Sequence, residues 1–248
     1  YFDEKEVTVV TGEALLRQKM DSDTLYLHSD TLHTELDSIG GSERTLFAYH
    51  KVKFYKDDMQ GLCESLVYAY SDSPIRLFTD PVLWSDSSQL TADTINIRME
   101  KGAVKELYMI NTSFIISRED SAFYNQIKGR KMIGHFKDNK LYKVDVYGNG
   151  QTIYFVSEAN STTVDNVNQA ESSNMTIYVD SNKVSKITFL TQPDATLHPV
   201  GQVNLSEMKL QDFFWHGLRR PMRVEDIFVW EEIENHEGSE STENLGDK

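Results

Sequence analysis

Apolar side chains recur along most of this chain at every second position. Ile95, Ile97 and Met99 alternate with Thr94, Asn96 and Arg98; Val144 and Val146 with Lys143, Asp145 and Tyr147; Met175, Ile177 and Val179 with Thr176 and Tyr178. A period of two sends successive side chains to opposite faces, so these are strands with one covered face. Helix-period stretches are few and short: Glu13 to Lys19, Ser121 to Gln126 and Leu205 to Phe213. The pattern predicts a nearly all-β chain carrying those three short helices.

Four segments share one grammar of strand, tight polar turn and strand. They run over 62–84 with the turn SDSP, 90–117 with EKGA, 128–156 with KDNK, and 172–191 with DSNK. Asp, Asn, Ser, Gly and Pro suit such connections because they accept positive φ or bond their own backbone. A lone hairpin cannot bury its apolar face, so stacked copies must share one elongated interior. The inward parity falls on Ile95, Ile97, Met99, Leu107, Met109, Phe114, Ile116, Met132, Phe136, Val144, Val146, Ile177, Val179, Ile187 and Phe189. Between the third and fourth hairpins, residues 157–173 are rich in Ser, Asn and Thr, which predicts an exposed loop.

After Pro199 the pattern gives way to an aromatic cluster, Phe213, Phe214 and Trp215, followed by Arg219 and Arg220 before Pro221, then Ile227 to Trp230. This predicts a closing segment over 205–230, packed on the hairpin stack of 1–204 and capping one of its ends. The last 18 residues set seven acids against one base. Residues 231–248 are therefore expected to be an acidic disordered tail.

The formal charge of −14 argues against a nucleic-acid surface. No apolar run is long enough for a transmembrane helix. The single Cys63 excludes an intrachain disulfide framework and is expected to be a buried, inert thiol. No nucleophile elbow, phosphate-binding glycine loop or zinc helix motif occurs, so no catalytic residue, cofactor or metal is expected. His28 and His33, five apart, should face opposite sides of a strand and share no metal. Lys128, Arg130 and Lys131 form a basic cluster, read either as a solvated strand edge or as phosphate contacts.

Longer stretches resemble a known family. DSDTLYLHSDTLHT (21–34), the run from Leu46 to Ile95, YNQIKGRKMIGHF (124–136), YGNGQTIYF (147–155) and the ending FFWHGLRRP (213–221) are similar to the OstA-like proteins of Bacteroidetes, relatives of the LptA and OstA lipopolysaccharide-transport proteins. The resemblance implies an open β-jellyroll whose apolar inside holds acyl chains in the periplasm, possible association with the outer membrane, and a chain forming a carboxy-terminal portion of a longer protein. Implied partners are lipopolysaccharide or lipid A, other jellyroll proteins joined by edge-strand addition, and a second copy in a homo-oligomer. GNG at 148–150 departs from the family's usual small residue after the Asn. The rival expectation is a non-catalytic envelope scaffold with a fully packed core; large inward residues such as Met99 and Met109 would gape in a groove and interlock in a core.

Overall fold

The computed structural model describes residues 7–19, 23–36, 44–69, 74–100, 103–118, 123–138, 140–157, 163–180 and 183–230. The expected acidic tail, and parts of the four predicted turns, lie outside them. Among the described residues the strands are β1 (Val7–Lys19), β2 (Thr24–Leu36), β3 (Arg44–Lys56), β4 (Met59–Ala69), β5 (Ile75–Phe78), β6 (Val82–Ser85) and β7 (Ser88–Thr91). They continue as β8 (Thr94–Glu100), β9 (Ala103–Arg118), β10 (Tyr124–Lys137), β11 (Lys140–Ser157), β12 (Val164–Asp180), β13 (Lys183–Phe189) and β14 (Asp194–Pro199). Every pairing is antiparallel, and the main path follows chain order, β1-β2-β3-β4-β5-β8-β9-β10-β11-β12-β13, with β6, β7 and β14 branching from it. The chain is an all-β, open jellyroll of stacked hairpins.

Two expectations fail locally. Glu13 to Lys19 is the second half of β1, because Ala14 and Leu16 turn inward beside Leu27 and the ladder to β2 overrides the short helical spacing. Leu205 to Phe213 forms irregular turns, and Ser121 to Gln126 enters β10 at Tyr124. The expected loop over 157–173 is strand from Val164 onward, held by ladders to β11 on one side and β14 on the other. Its buried positions, Val167, Ala170 and Ser172, are small and interrupted by shifts of phase, which hid the alternation.

A seam crosses the strands midway and bends the sheet on itself. The pairing register shifts at Thr11/Ala14, His28/Thr31, Tyr49/Val52, Gly129/Lys131 and Tyr147/Gly150. Positive φ falls on the same line, at Gly12, His50, Lys51, Thr79, Asp80, Asn111, Thr112, Gly148, Asn149 and Gln192. Such bulges kink a strand and increase its twist, so a row of them folds one sheet into two facing walls. The first wall holds 31–36 of β2, 44–49 of β3, 65–69 of β4, β5, β8, 103–110 of β9, 131–137 of β10 and 140–147 of β11. The second holds 14–19 of β1, 24–28 of β2, 52–56 of β3, 59–63 of β4, β6, β7, 113–118 of β9, 124–129 of β10, 150–157 of β11 and 164–172 of β12. Both walls feed the main core: Ala48 and Val52 of β3, and Met109 and Ile115 of β9, stand on either side of the seam.

The outer face of the second wall is also apolar and is covered by residues 200–230. This strap runs across the strands through short 3-10 turns at Val200–Gln202, Gly217–Arg219 and Val224–Phe228. Leu210, Met208, Phe213 and Trp215 pack on Phe114, Ile116, Ile153, Phe155 and Val167, while Trp230 packs by Leu62, Val82 and Trp84. The closing segment thus lies along the outside of one wall, where apolar residues of both strand faces require cover, and not at one end of the stack.

Buried polar side chains pin the strap. Gln126 donates from Nε2 to the Met208 carbonyl at 2.9 Å and accepts at Oε1 from the Leu210 N–H at 2.8 Å. Gln89 repeats the motif, donating to the Phe214 carbonyl at 2.8 Å and accepting from the His216 N–H at 2.6 Å. Each amide thereby completes a strand-like pair with strap residues i and i+2. Further along, the Arg220 guanidinium donates to Gln60 Oε1 from Nε at 2.9 Å and Nη2 at 2.6 Å, and Lys53 Nζ donates to the Val229 carbonyl at 2.5 Å.

Candidate functional site

The two walls meet at the seam and part at their hairpin ends. Near the seam the inward side chains interlock: Ile95, Met132, Met175 and Ile177 have no exposure, and Leu107, Met109, Val144 and Val146 have 1%. Farther out, the lips separate around two cavities. The first, about 70 Å³, lies between Tyr68, Ile75, Ile97, Met99 and Val104 of the first wall and Leu16, Leu25, Leu27, Phe54 and Met59 of the second, with Lys56 and Asp58 at its rim. The second, about 60 Å³, lies between Phe136, Leu141, Val144, Val179 and Val184 on one side and Leu90, Ile115 and Ile127 on the other, and is also lined by Asn125, Ser117, Asp86 and the serines around it.

Of the residues expected to line the interior, Ile97 and Met99 border the first cavity, and Phe136, Val144 and Val179 the second. Ile95, Leu107, Met109, Met132, Val146 and Ile177 form the packed floor, with Ile187 and Phe189 half-buried against it. Phe114 and Ile116 do not share this interior. They lie on the outer face of the second wall under Phe213 and Leu210, while their neighbour Ile115 points inward. Along 113–117 both faces of β9 are apolar, so alternation alone gave no way to choose between them. The lining from β1 to β3 was missed, although Leu25 and Leu27 alternate with Thr24 and Tyr26.

The basic cluster stands apart from the cavities. Lys128 Nζ is engaged by Asp212 at 2.8 Å and the Gln211 carbonyl at 2.9 Å. Lys128 and Arg130 border a polar cleft of about 600 Å³ on the outer side of the seam, with Asn149, Gln151, Glu171, Ser173 and Gln192. Lys131 is exposed beside inward-facing Met132. None of the three lines either cavity between the walls.

The outer face of the first wall carries a charged ladder. Glu106 accepts from Tyr108 Oη at 2.5 Å and from Arg98 at 2.9 and 3.0 Å. The Tyr108 hydroxyl, then Arg98, holds the Glu106 carboxyl below its ordinary range against the opposing effect of burial. Burial would raise Asp145, but bonds from Lys143 at 2.9 Å, Thr176 at 2.9 Å and His135 at 2.8 Å outweigh it and lower the carboxyl. Cys63 is 1% exposed, and burial pushes its thiol far above the ordinary value. His28 and His33 do not take opposite faces: the shift at His28/Thr31 brings both Leu27 and Leu32 into the core and so turns both imidazoles outward, His28 onto Phe228 and His33 onto Phe47. Among the described residues no group of His, Cys, Asp and Glu could hold a metal ion, and no helix is long and apolar enough to cross a membrane.

No family model matches the sequence, and no curated protein matches it. Among solved structures, the chain is similar to LptH from Pseudomonas aeruginosa, described as the LptA-homologous periplasmic component of the lipopolysaccharide transport device. That match has 12% identity and a TM-score of 0.44 over 58% of this chain and 99% of the other.

Proposed function

We propose that the protein is a periplasmic lipid-binding carrier or bridge in lipopolysaccharide transport and outer-membrane assembly, taking acyl chains between the lips of its two walls. The observation that carries this reading is the gradient across the interior: interlocked at the seam and cavity-bearing at the lips, where the first cavity is almost wholly apolar and the second is mixed. Each cavity, at about 70 and 60 Å³, is smaller than the ~150 Å³ that admits benzene. An acyl chain must therefore part the walls. Each methylene transferred from water contributes about 0.8 kcal/mol without fixing direction, which lets a chain slide between equivalent positions.

The resemblance to OstA-like proteins of Bacteroidetes supports the same reading. So do the sheet edges: among the described residues β1 pairs only with β2 and exposes Val7, Val9 and Val10, an edge to which another jellyroll or a second copy adds a strand. Lys128, Arg130 and Lys131 are left out of the proposed contact set because they lie across the sheet from the lips. The interlocked floor favours the second reading, an envelope scaffold with a fully packed core.

A photo-crosslinker at Met99, on the lip of the first cavity, is expected to capture lipopolysaccharide, whereas one at Tyr108, on the outer face of the same wall, is not. Equal labelling at both positions, or none at either, rejects the groove in favour of the scaffold. An Ile97→Asp variant that folds and loses capture supports the groove; one that fails to fold supports the packed core.

A further inference from the structure

The outer side of the seam holds a cleft that plays no part in acyl-chain uptake. About 600 Å³ in volume, it crosses β10, β11 and β12 where their bulges fall, between the strap at Gln211 and the β13–β14 connection at Gln192. It shares no residue with either cavity between the walls. Its volume falls within the roughly 300–1,000 Å³ of small-ligand sites, which are mostly apolar, yet among the described residues no aliphatic or aromatic side chain lines it.

Contacts beneath and beside the cleft hold its shape. The Ser172 hydroxyl, 4% exposed, donates to the Thr191 carbonyl at 2.7 Å, tying β12 to the segment that carries Gln192. Gln151 Nε2 donates to Glu171 at 2.7 Å across β11 and β12. At the opposite rim Lys128 fixes the strap through the Gln211 carbonyl at 2.9 Å and Asp212 at 2.8 Å. A ligand entering here therefore orders little additional chain.

Charge and bonding capacity decide what fits. The two cations, Lys128 and Arg130, are outnumbered by Glu171, its ladder neighbour Asp194, Asp212 on Lys128, and Asp93 on Thr112. Such a balance does not attract a phosphate. The side chains of Asn149, Gln192, Gln211 and Ser173 have no hydrogen-bond partner among the described residues. An amide offers a donor and an acceptor side by side, which matches a hydroxyl, since each hydroxyl both donates and accepts. A protein partner would find no aromatic anchor here. Strand addition needs a free edge, and β10, β11 and β12 are each paired on both sides.

We propose that this cleft binds a neutral oligosaccharide, with Asn149, Gln192 and Gln211 bonding its hydroxyls while Arg130 donates to them and Glu171 accepts. The site is independent of lipid uptake between the walls. Two sources carry this chemistry, the sugar portion of a lipopolysaccharide and a separate glycan.

NMR titration of the isotope-labelled full chain tests this with three lipid-free probes: cellohexaose, chitohexaose, and the polysaccharide released from lipopolysaccharide by mild acid. The side-chain amide signals of Asn149, Gln192 and Gln211 should shift saturably with at least one probe. Shifts with the released polysaccharide point to the lipopolysaccharide sugar, and shifts with a hexasaccharide to a separate glycan. Gln211→Ala and Gln192→Gly, the glycine keeping the backbone at φ 47°, should each weaken binding about fivefold, the worth of one net hydrogen bond. Both side chains are exposed, so these variants should melt with the wild type. Cross-linking of lipid at Met99 should be unchanged in Gln211→Ala, and Ile97→Asp, if folded, should bind sugar normally, so failure of either reading leaves the other standing. The proposal is overturned if no probe shifts the cleft signals, if inorganic phosphate shifts them and displaces the sugar, or if both variants bind as tightly as the wild type.

Discussion

Gln89 and Gln126 are each 1% exposed and spend both amide ends on the strap backbone. Replacing Gln126 with Leu keeps much of the volume but leaves the Met208 carbonyl and Leu210 N–H buried without partners. At about 1–3 kcal/mol for each such group, Gln126→Leu should destabilise by about 2–4 kcal/mol in urea titration. Gln126→Glu would set a buried carboxylate against the Met208 carbonyl oxygen, so at pH 7 it should cost at least as much as Gln126→Leu. In the sequence these glutamines read as ordinary polar strand positions, because nothing local distinguishes an amide facing water from one facing a segment more than 80 residues away. The charged ladder was equally hidden. Glu106 and Asp145 have lowered folded pKa values, so their contribution is present above the unfolded carboxylate range, near 4.5 and 3.8, and is lost as pH falls through the folded values. Asp145→Asn should therefore be destabilising at pH 7 by urea midpoint, with the difference from wild type shrinking steadily below about pH 4.

The individual strands from β8 to β11, the second half of β12 and β13 are written in the alternation of the sequence, while the first half of β12 and the second half of β1 are not. Both exceptions are strands whose alternation slips at a bulge or whose inward residues are small. The seam itself left little trace, since glycine, the usual mark of positive φ, appears there at Gly12 and Gly148 while His50, Lys51, Thr79, Asp80, Asn111 and Thr112 take the same conformation. Thr79 and Thr112, β-branched at φ 60° and 40°, are the positions where that choice costs most. Thr79→Gly should stabilise the fold by about 1 kcal/mol, read as a raised melting temperature. Gly150 is set by a different constraint: a Cβ there would stand 2.9 Å from the Ser172 carbonyl oxygen and 2.7 Å from Met175 Cε. Since the carbonyl belongs to the paired strand and cannot move aside, Gly150→Ala should cost about 1–3 kcal/mol.

For the molecule as a whole, chain-order stacking of hairpins follows from the repeated grammar of the sequence, whereas the division into interior floor, open lips and covered outer face does not. Alternation says that two faces differ; it does not say which will be covered by a segment arriving from elsewhere, and Phe114 and Ile116 show the result. Removing residues 205–230 should expose Phe114, Ile116, Ile153, Phe155 and Trp84 together. The expected outcome is a lower melting temperature and strong binding of a hydrophobic dye, and an unchanged melt would show that the strap contributes no net stability.

The strap also sets an order of events in time. The hairpins join neighbours in sequence, but the Lys53–Val229 bond spans 176 residues and joins the end of the strap to strands far earlier in the chain. Such contacts close after the sheet has formed, so they are absent from the rate-limiting barrier and act on escape from the native state. Weakening a pin should leave the refolding arm of a chevron plot nearly in place and speed unfolding, making the last-docked segment the part that governs how long the folded molecule survives.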